Sequence, residues 1–266
     1  MKEKRQRIDR ARHAFRKKDI QQVLEAHRKQ EIKRAEGHHQ GGGSYVGDFV
    51  YGAIDGSVTT FAVVSGVAGA SLPPSVVLIL GFANLFADGS SMAIGNYLSS
   101  KANSEFIKQE RQREEWEVEH VPEGEREEVR AIYHAKGFRG RLLEQVTNML
   151  TSNKKVWVDT MMREELKLIP DGNSPVKKGL VTFAAFVSVG LIPLISYIVS
   201  YFSAPAYAVA YPLSVGLTGA AFFLIGSAKT KVTGQSWWRE GLMTLLVGGF
   251  AAVIAYGVGY ALRGLA

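Results

Sequence analysis

Apolar residues occur in five long runs, with approximate limits 47–71, 75–99, 177–202, 206–228 and 239–262. Residues 49–100 carry two formally charged side chains, Asp55 and Asp88. Residues 179–228 carry none. A soluble helix keeps a charged face for water, whereas a helix surrounded by lipid is apolar on every side for about 20 residues. The pattern therefore predicts five transmembrane helices.

Charged sequence flanks and separates these runs. Residues 1–43 hold 13 Lys and Arg against 6 Asp and Glu. This composition predicts a basic arm near anionic lipid, with a short amphipathic helix that includes Ile20, Leu24 and Ile32. Lys and Arg are absent from the turns at residues 72–74 and 203–205 but frequent in the arm, in the segment 100–178 and around residues 229–239. The positive-inside rule then places these three regions in the cytoplasm and the C-terminus outside.

The polar segment between the second and third runs predicts a small helical domain. The second run continues without Gly or Pro from Tyr97 to Glu119, which predicts a helix that projects from the membrane. A break is expected at residues 122–124, followed by helices over 125–135, 139–150 and 155–168. The expected fold is an all-α membrane protein with five spans. Its expected regions are an arm (1–43), spans one and two (44–99), a cytoplasmic acidic helical domain (100–175) and spans three to five (176–266).

Acidic residues on the projecting helix recur at helical intervals, at Glu105, Glu110, Glu114 and Glu117. Intervals of three and four place carboxylates on one broad face, where they repel one another unless cations or basic side chains neutralise them. Such oxygen-rich clusters suit divalent ions, although Glu-rich helices with interspersed Arg are also ordinary solvated surfaces. Met161 and Glu165 are four residues apart and offer a thioether beside a carboxylate, unless Met161 serves only for packing.

Ionisable residues inside the spans form a second candidate metal site. A charged residue near the centre of a span costs about 2.5–3.5 kcal/mol on insertion scales, so it is a functional candidate. Asp48 precedes Asp55 by two helical turns, and Asp88 and Met92 follow Asn84 at intervals of four. A hairpin of spans one and two can turn these stripes towards each other, and the thioether favours Fe²⁺ over Mg²⁺ or Ca²⁺. The alternative is a buried Asp that hydrogen-bonds to a neighbouring helix for assembly.

Three motifs contain these residues: DFVYGAIDGSVTTFA at 48–62, ADGSSMAIGNYLS at 87–99 and MMREEL at 161–166. On these motifs the chain resembles the vacuolar iron transporter family over about residues 45–262. The resemblance implies a homodimer of five-span protomers, with the pore near the subunit interface, that exports cytosolic Fe²⁺ in exchange for protons. It also implies that Asp55 and Met92 are transport ligands. Glutamates of the inserted domain, together with Met161 and Glu165, are then expected to collect metal.

Two positions depart from the family pattern. Plant members have Glu eight residues before the Met of span two, where this chain has Asn84 and places its acid one turn later, at Asp88. A family Glu-x-x-Glu pattern that begins at Glu105 requires an acid at position 108, which is Lys108. Glu110, or the pair of Glu114 and Glu117, is expected to substitute for it.

The sequence thus predicts a divalent metal transporter, specifically an Fe²⁺/H⁺ antiporter that exports iron from the cytosol. The alternatives are a transporter for Mn²⁺ or for a broad range that includes Co²⁺ and Zn²⁺, and a metal-sensing membrane scaffold that does not transport. No catalytic or phosphate-binding motif occurs, so we expect no enzyme, no cofactor and no nucleic-acid partner. The chain has no Cys, which excludes disulfides and thiolate metal sites. A bacterial or archaeal cytoplasmic membrane is the expected location.

Overall fold

The computed structural model describes residues 45–202, 207–233 and 235–265, together with 13, 15, 17 and 19–26 of the arm. Within these residues the regular structure is entirely helical. The arm up to Gly42 forms a unit of its own, and the second unit begins at Gly43. It contributes one short helix, α1 (Ile20–Ala26), which includes two of the three apolar residues of the predicted amphipathic helix. The third, Ile32, lies outside the described residues.

The second unit contains all the remaining α-helices of the described chain. They are α2 (Val46–Gly69), α3 (Pro74–His120), α4 (Pro122–Ala135), α5 (Gly140–Thr151), α6 (Lys154–Thr160), α7 (Pro175–Gly190), α8 (Ile192–Tyr201), α9 (Tyr207–Thr233) and α10 (Trp237–Leu262). Within the described ranges, four helices are long and apolar enough to cross a membrane, or five spans if α7 and α8 count as one. The predicted apolar spans are confirmed as helices.

The third span is broken, because α7 and α8 meet at an angle of 48°. Pro193 lies in the first turn of α8, where a proline is tolerated because its missing N–H has no helical partner. A Cβ added to Gly190 would lie 2.7 Å from the carbonyl oxygen of Gly56. The glycine therefore lets α7 pack closely on α2, and the proline begins the second half of the span in a new direction.

Helix α2 lies at the centre of the spans and contacts α3, α7, α8, α9 and α10. Half of its span is buried within the protomer, compared with 22% of the span in α3 and 17% in α10. Its residues Phe61 and Val64 pack in a core with Leu194 and Phe222. Asp55 therefore lies on the most buried of the four long apolar helices, whereas α3 keeps much of its surface open.

The helical insert, residues 100–175, begins inside α3, which continues for 47 residues without interruption. The predicted continuation of this helix beyond the second apolar run is confirmed. The predicted break at residues 122–124 is too wide, because Val121 alone separates α3 from α4 and Pro122 begins the new helix. Helices α3, α4 and α6 share a hydrophobic core that includes Val118, Val129 and Trp157.

The last helix of the insert is shorter than the predicted 155–168. Helix α6 ends at Thr160 and continues as a π-helical turn, Met161–Glu165. The Leu166 N–H donates to the Met161 carbonyl oxygen at 3.2 Å, and Lys167 has a φ of 57°, which ends the helical path. Such π-turns are frequent at functional sites.

A connector, residues 166–174, joins this turn to α7. The N–H of Ser174 donates to the Tyr45 hydroxyl oxygen at 3.3 Å. Asp171 and Lys178 form an ion pair at 2.5 Å. The connector is thereby held against the first residues of both α2 and α7.

Candidate metal sites

Three glutamates of the insert converge on one point. Glu114 and Glu117 come from the last turns of α3, and Glu125 comes from the first turn of α4. One carboxylate oxygen from each lies within 4.8 Å of the other two. This group is called the glutamate cluster below. The sharp junction at Val121 produces it, because it brings the start of α4 beside the end of α3.

Two members of the glutamate cluster are buried. Glu114 is 1% exposed and Glu125 is 6% exposed. The Oε2 atom of each has no hydrogen-bond partner. A buried carboxylate oxygen without a donor is costly, so these two atoms are ready ligands for a cation.

Burial and neighbouring carboxylates raise the pKa values of the two buried glutamates of the cluster. Burial raises the pKa of Glu114 to about 7, and nearby carboxylates, led by Glu165, add to the rise while Arg113 opposes it. Burial and the charges of Glu114 and Glu128 also raise the pKa of Glu125 to about 7. For Glu165 the pKa is raised by burial and then by Glu128. Five carboxylates therefore act on one another here, and a divalent ion would relieve their repulsion.

The π-turn lies beside the glutamate cluster and contacts both α3 and α4. Met161 is fully buried and Met162 is 3% exposed. Both pack in the insert core with Val118 and Val129, which stand on the helices that carry the three glutamates. Glu165, at the end of the turn, keeps an exposed surface although its carboxylate is partly covered by protein. The structure thus gives Met161 a packing position and places Glu165 within electrostatic range of the cluster.

Glu105 and Glu110 lie outside the glutamate cluster, although both are candidate ligands in the sequence. Glu105 is exposed and pairs with Lys101 at 3.8 Å. It precedes Glu114 by nine residues, which is about 13.5 Å along a helix. Glu110 pairs instead with Arg113 at 3.1 Å. Of the four α3 glutamates predicted as metal ligands, the structure therefore brings together Glu114 and Glu117.

Sequence reasoning missed Glu125 and Glu128. The signal was present, since the Glu-x-x-Glu pattern sought at Glu105 occurs at residues 114–117 and again at 125–128, on either side of the helix break. Recognising it requires a tight junction at Val121, so that the second pair folds back on the first.

In the spans, Asp55 and Asp88 form the second candidate site. Asp55 is half-buried on α2 and Asp88 is exposed on α3, and the charge of Asp88 acts on Asp55. Met92 is half-buried one turn after Asp88. Asn84, one turn before it, has a buried side-chain nitrogen without a hydrogen-bond partner. Carboxylates from neighbouring spans thus lie near each other, with an amide and a thioether on the same helix.

Asp48 belongs to a polar contact that links three helices. The side-chain nitrogen of Asn96 on α3 donates to Asp48 Oδ1 at 2.9 Å and to Thr182 Oγ1 on α7 at 2.7 Å. Ser100 Oγ lies 3.4 Å from the Asn96 side-chain oxygen, to which it donates. Sequence reasoning assigned no role to Asn96 or Thr182. Their contacts hold the carboxylate of Asp48 at the end of the spans nearest the insert.

Known proteins resemble this chain over a range that includes both candidate sites. The sequence model of the VIT family matches residues 46–260. A vacuolar iron transporter of Toxoplasma gondii is 38% identical over 267 residues, which cover 96% of this chain and 88% of the relative. A vacuolar iron transporter of Plasmodium berghei is 35% identical, with 97% of each protein covered. Vacuolar iron transporter 1 of Oryza sativa is 33% identical over 85% of this chain and 88% of its own length. These relatives come from eukaryotes and lend no support to the expected bacterial or archaeal membrane.

Proposed function

Because this chain belongs to the VIT family, whose members are transporters rather than enzymes, we propose that it exchanges Fe²⁺ for protons and exports iron from the cytosol. Membership makes it a divalent metal transporter of a membrane. Our proposal adds that the cargo is Fe²⁺, that the ion leaves the cytosol and that protons move in exchange.

One observation carries it: α3 joins the two carboxylate sites as a single unbroken helix. It holds Asp88 and Met92 in its membrane part and Glu114 and Glu117 near its other end. From Asp88 to Glu114 the helix rises about 39 Å, at about 1.5 Å per residue. This continuous helix supports transport in two stages, with capture at the glutamates of the insert and passage at the aspartates of the spans.

The first stage is capture by the insert, which we place in the cytoplasm. The glutamate cluster offers carboxylate oxygens that lack hydrogen-bond donors at Glu114 and Glu125. Oxygen ligands of this kind accept many divalent ions, Fe²⁺ among them. The insert thereby raises the local concentration of metal at the entrance to the spans.

The second stage is passage between the spans. Asp48 guides entry, and Asp55, Asp88 and Met92 bind the ion in transit. Two ionised carboxylates without a cation are costly in a low-dielectric region, so metal and protons compete for them. Protons that enter from the far side displace the metal there and return to the cytosol.

The exposed carboxylate of Asp88 supports a homodimer. In a single protomer, Asp88 and Ser91 lie on the open face of α3, within a span. An Asp that faces lipid costs about 2.5–3.5 kcal/mol on insertion scales. A second copy that covers this face removes the cost and encloses the ion path between two α3 helices.

Reconstituted vesicles test the proposal. We expect full-length protein to take up Fe²⁺ into vesicles with an acidic lumen, monitored with an entrapped fluorescent chelator, and to release protons in proportion. Asp55→Asn should reduce uptake to the level of protein-free vesicles, whereas Asp171→Asn, which removes a carboxylate of the connector, should retain it.

Other results of the vesicle experiment would change or exclude parts of the proposed function. Uptake of Mn²⁺, Co²⁺ or Zn²⁺ in preference to Fe²⁺ would change the proposed cargo. Metal uptake without proton release would exclude exchange. Binding without uptake would support a metal-sensing scaffold, and wild-type uptake by Asp55→Asn would remove the membrane site from the mechanism.

A further inference from the structure

Arg113 contacts the glutamate cluster from its outer side. Its guanidinium reaches three carboxylates of α3: Nε lies 3.1 Å from Glu110, Nη2 lies 2.8 Å from Glu114, and Nη1 lies 2.6 Å from Glu117. Two of these carboxylates belong to the proposed metal site. A fixed positive charge therefore stands where a divalent ion must also find its ligands.

The contacts of Arg113 leave the inner side of the glutamate cluster unneutralised. Arg113 binds Glu114 through Oε1, whereas Oε2 of the same carboxylate is buried without a partner. Glu125 is 6% exposed, and its Oε2 also lacks a partner. These unpartnered oxygens point to a cation ligand that Arg113 does not replace.

We propose that Arg113 is an internal counter-cation that competes with the metal for Glu114 and Glu117 and so lowers the affinity of the cluster. The inference rests on the proposed function. A guanidinium stays protonated at all physiological pH values, so only movement removes its charge from the site. Glu110 holds Nε at 3.1 Å and lies outside the cluster, so it keeps one contact with the guanidinium when metal displaces the other two.

Weakened binding serves a transporter because cargo must leave the capture site as well as reach it. With Arg113 present, each departing metal ion is replaced by a charge that the protein already carries. The vacated carboxylates at Glu114 and Glu117 are then not left facing each other unpaired. Release therefore leaves a smaller electrostatic penalty than it would in a cluster of glutamates alone.

Arg111 provides a matched control on the same helix. It is 35% exposed, compared with 42% for Arg113, and it pairs with Glu115 at 3.2 Å and Asp159 at 2.7 Å. None of its partners belongs to the glutamate cluster. Neutralising Arg111 removes the same charge and a similar number of ion pairs, but no competitor of the metal.

The test measures equilibrium binding of Mn²⁺ to full-length protein in detergent at pH 8, with Arg113→Gln and Arg111→Gln compared to wild type. We expect Arg113→Gln to tighten binding about tenfold, which corresponds to about 1.4 kcal/mol. Arg111→Gln should remain within about twofold of wild type. Arg113→Lys, which keeps the charge but loses the forked geometry, should tighten binding about two- to threefold and provides the same comparison if the Gln variant does not fold.

Unchanged or weaker binding in both Arg113 variants would overturn the inference and reduce Arg113 to an ordinary helix ion pair. Equal tightening in Arg113→Gln and Arg111→Gln would also overturn it, because the effect would then arise from net charge. Failure of the proposed function is distinguishable: in that case the wild-type protein itself does not transport metal, whatever the affinity of the variants.

Discussion

The glutamate cluster and the pair of span aspartates use the same chemical group in opposite surroundings. In the insert, Glu114 and Glu125 are enclosed by protein and converge with Glu117 from two helices. In the spans, Asp88 lies on an open face and Asp55 is half-buried. The insert completes its carboxylate group within one protomer, whereas the membrane group stays partly open to its surroundings.

Under the proposed function, this difference separates metal capture by the insert from metal passage through the spans. A site whose carboxylates already converge can bind an ion without rearrangement, so it controls how much metal is collected at low concentration. A site whose carboxylates stand on separate spans can alternate between closed and open forms, so it controls the rate of passage. Substitutions in the two sites should therefore change different kinetic parameters.

The largest expected effect is that of Asp88→Asn. Removal of one of two carboxylates in the low-dielectric path should lower the maximal rate of Fe²⁺ uptake by about 100-fold. Metal binding by the insert should not change. Ile79→Ala, nine residues earlier and on the opposite side of the same helix, serves as the control and should retain uptake. A rise in KM with an unchanged maximal rate would contradict the division between the two sites.

For Glu125→Gln we expect a change in the KM for uptake and not in the maximal rate. Loss of this buried carboxylate should weaken Mn²⁺ binding by about 10- to 100-fold and raise the KM for uptake, while the maximal rate stays near that of wild type. Glu123→Gln, at an exposed position of the first turn of α4, is the matched control. If Glu123→Gln had the larger effect, the capture site would not include Glu125.

A change of pH should have a smaller effect, on the stability of the insert and on its affinity for metal. The pKa values of Glu114 and Glu125 in the folded protein are about 7, above the ordinary 4.5. The folded, metal-free insert therefore holds protons that the unfolded chain has released, and its stability should decrease as pH rises from about 4.5 to about 7. Metal replaces these protons, so its affinity should increase over the same interval and level off above it.

Calorimetric titration with Mn²⁺ at pH 5.5 and pH 8 measures this effect, for which we expect at least about a tenfold difference in affinity. The double variant Glu114→Gln with Glu125→Gln should bind weakly and with little dependence on pH. A pH dependence that survives in the double variant would assign the titration to other groups.

The spans were predictable because lipid imposes one requirement, a run of apolar residues without charge, that is visible locally in the sequence. The same holds for the continuation of α3 beyond the second apolar run, since no helix-breaking residue interrupts residues 97–119. The glutamate cluster was only half predictable. Glu114 and Glu117 share a helix face, but their meeting with Glu125 depends on the angle of a one-residue junction, which helical periodicity does not specify.

Asn96 illustrates a second limit of sequence reasoning. A neutral amide near the end of a span resembles an ordinary polar boundary residue. Its contacts with Asp48 and Thr182 depend on the packing of three separate helices. The third-span bend lies between these cases, because Gly190 and Pro193 mark its position but not its angle of 48°.

The length of α3 gives the molecule the properties of a lever. With Asp88 as the fulcrum and about 39 Å of stiff helix to Glu114, a tilt of about 5° in the membrane displaces the far end by about 3 Å. The insert packs on this part of α3 and would therefore follow its tilt. The connector, residues 166–174, must take up the difference in length, and its attachments are the hydrogen bond from Ser174 to Tyr45 and the ion pair of Asp171 with Lys178. In the proposed transporter, a small rotation of α3 within the bilayer would move the glutamate cluster by a few ångströms.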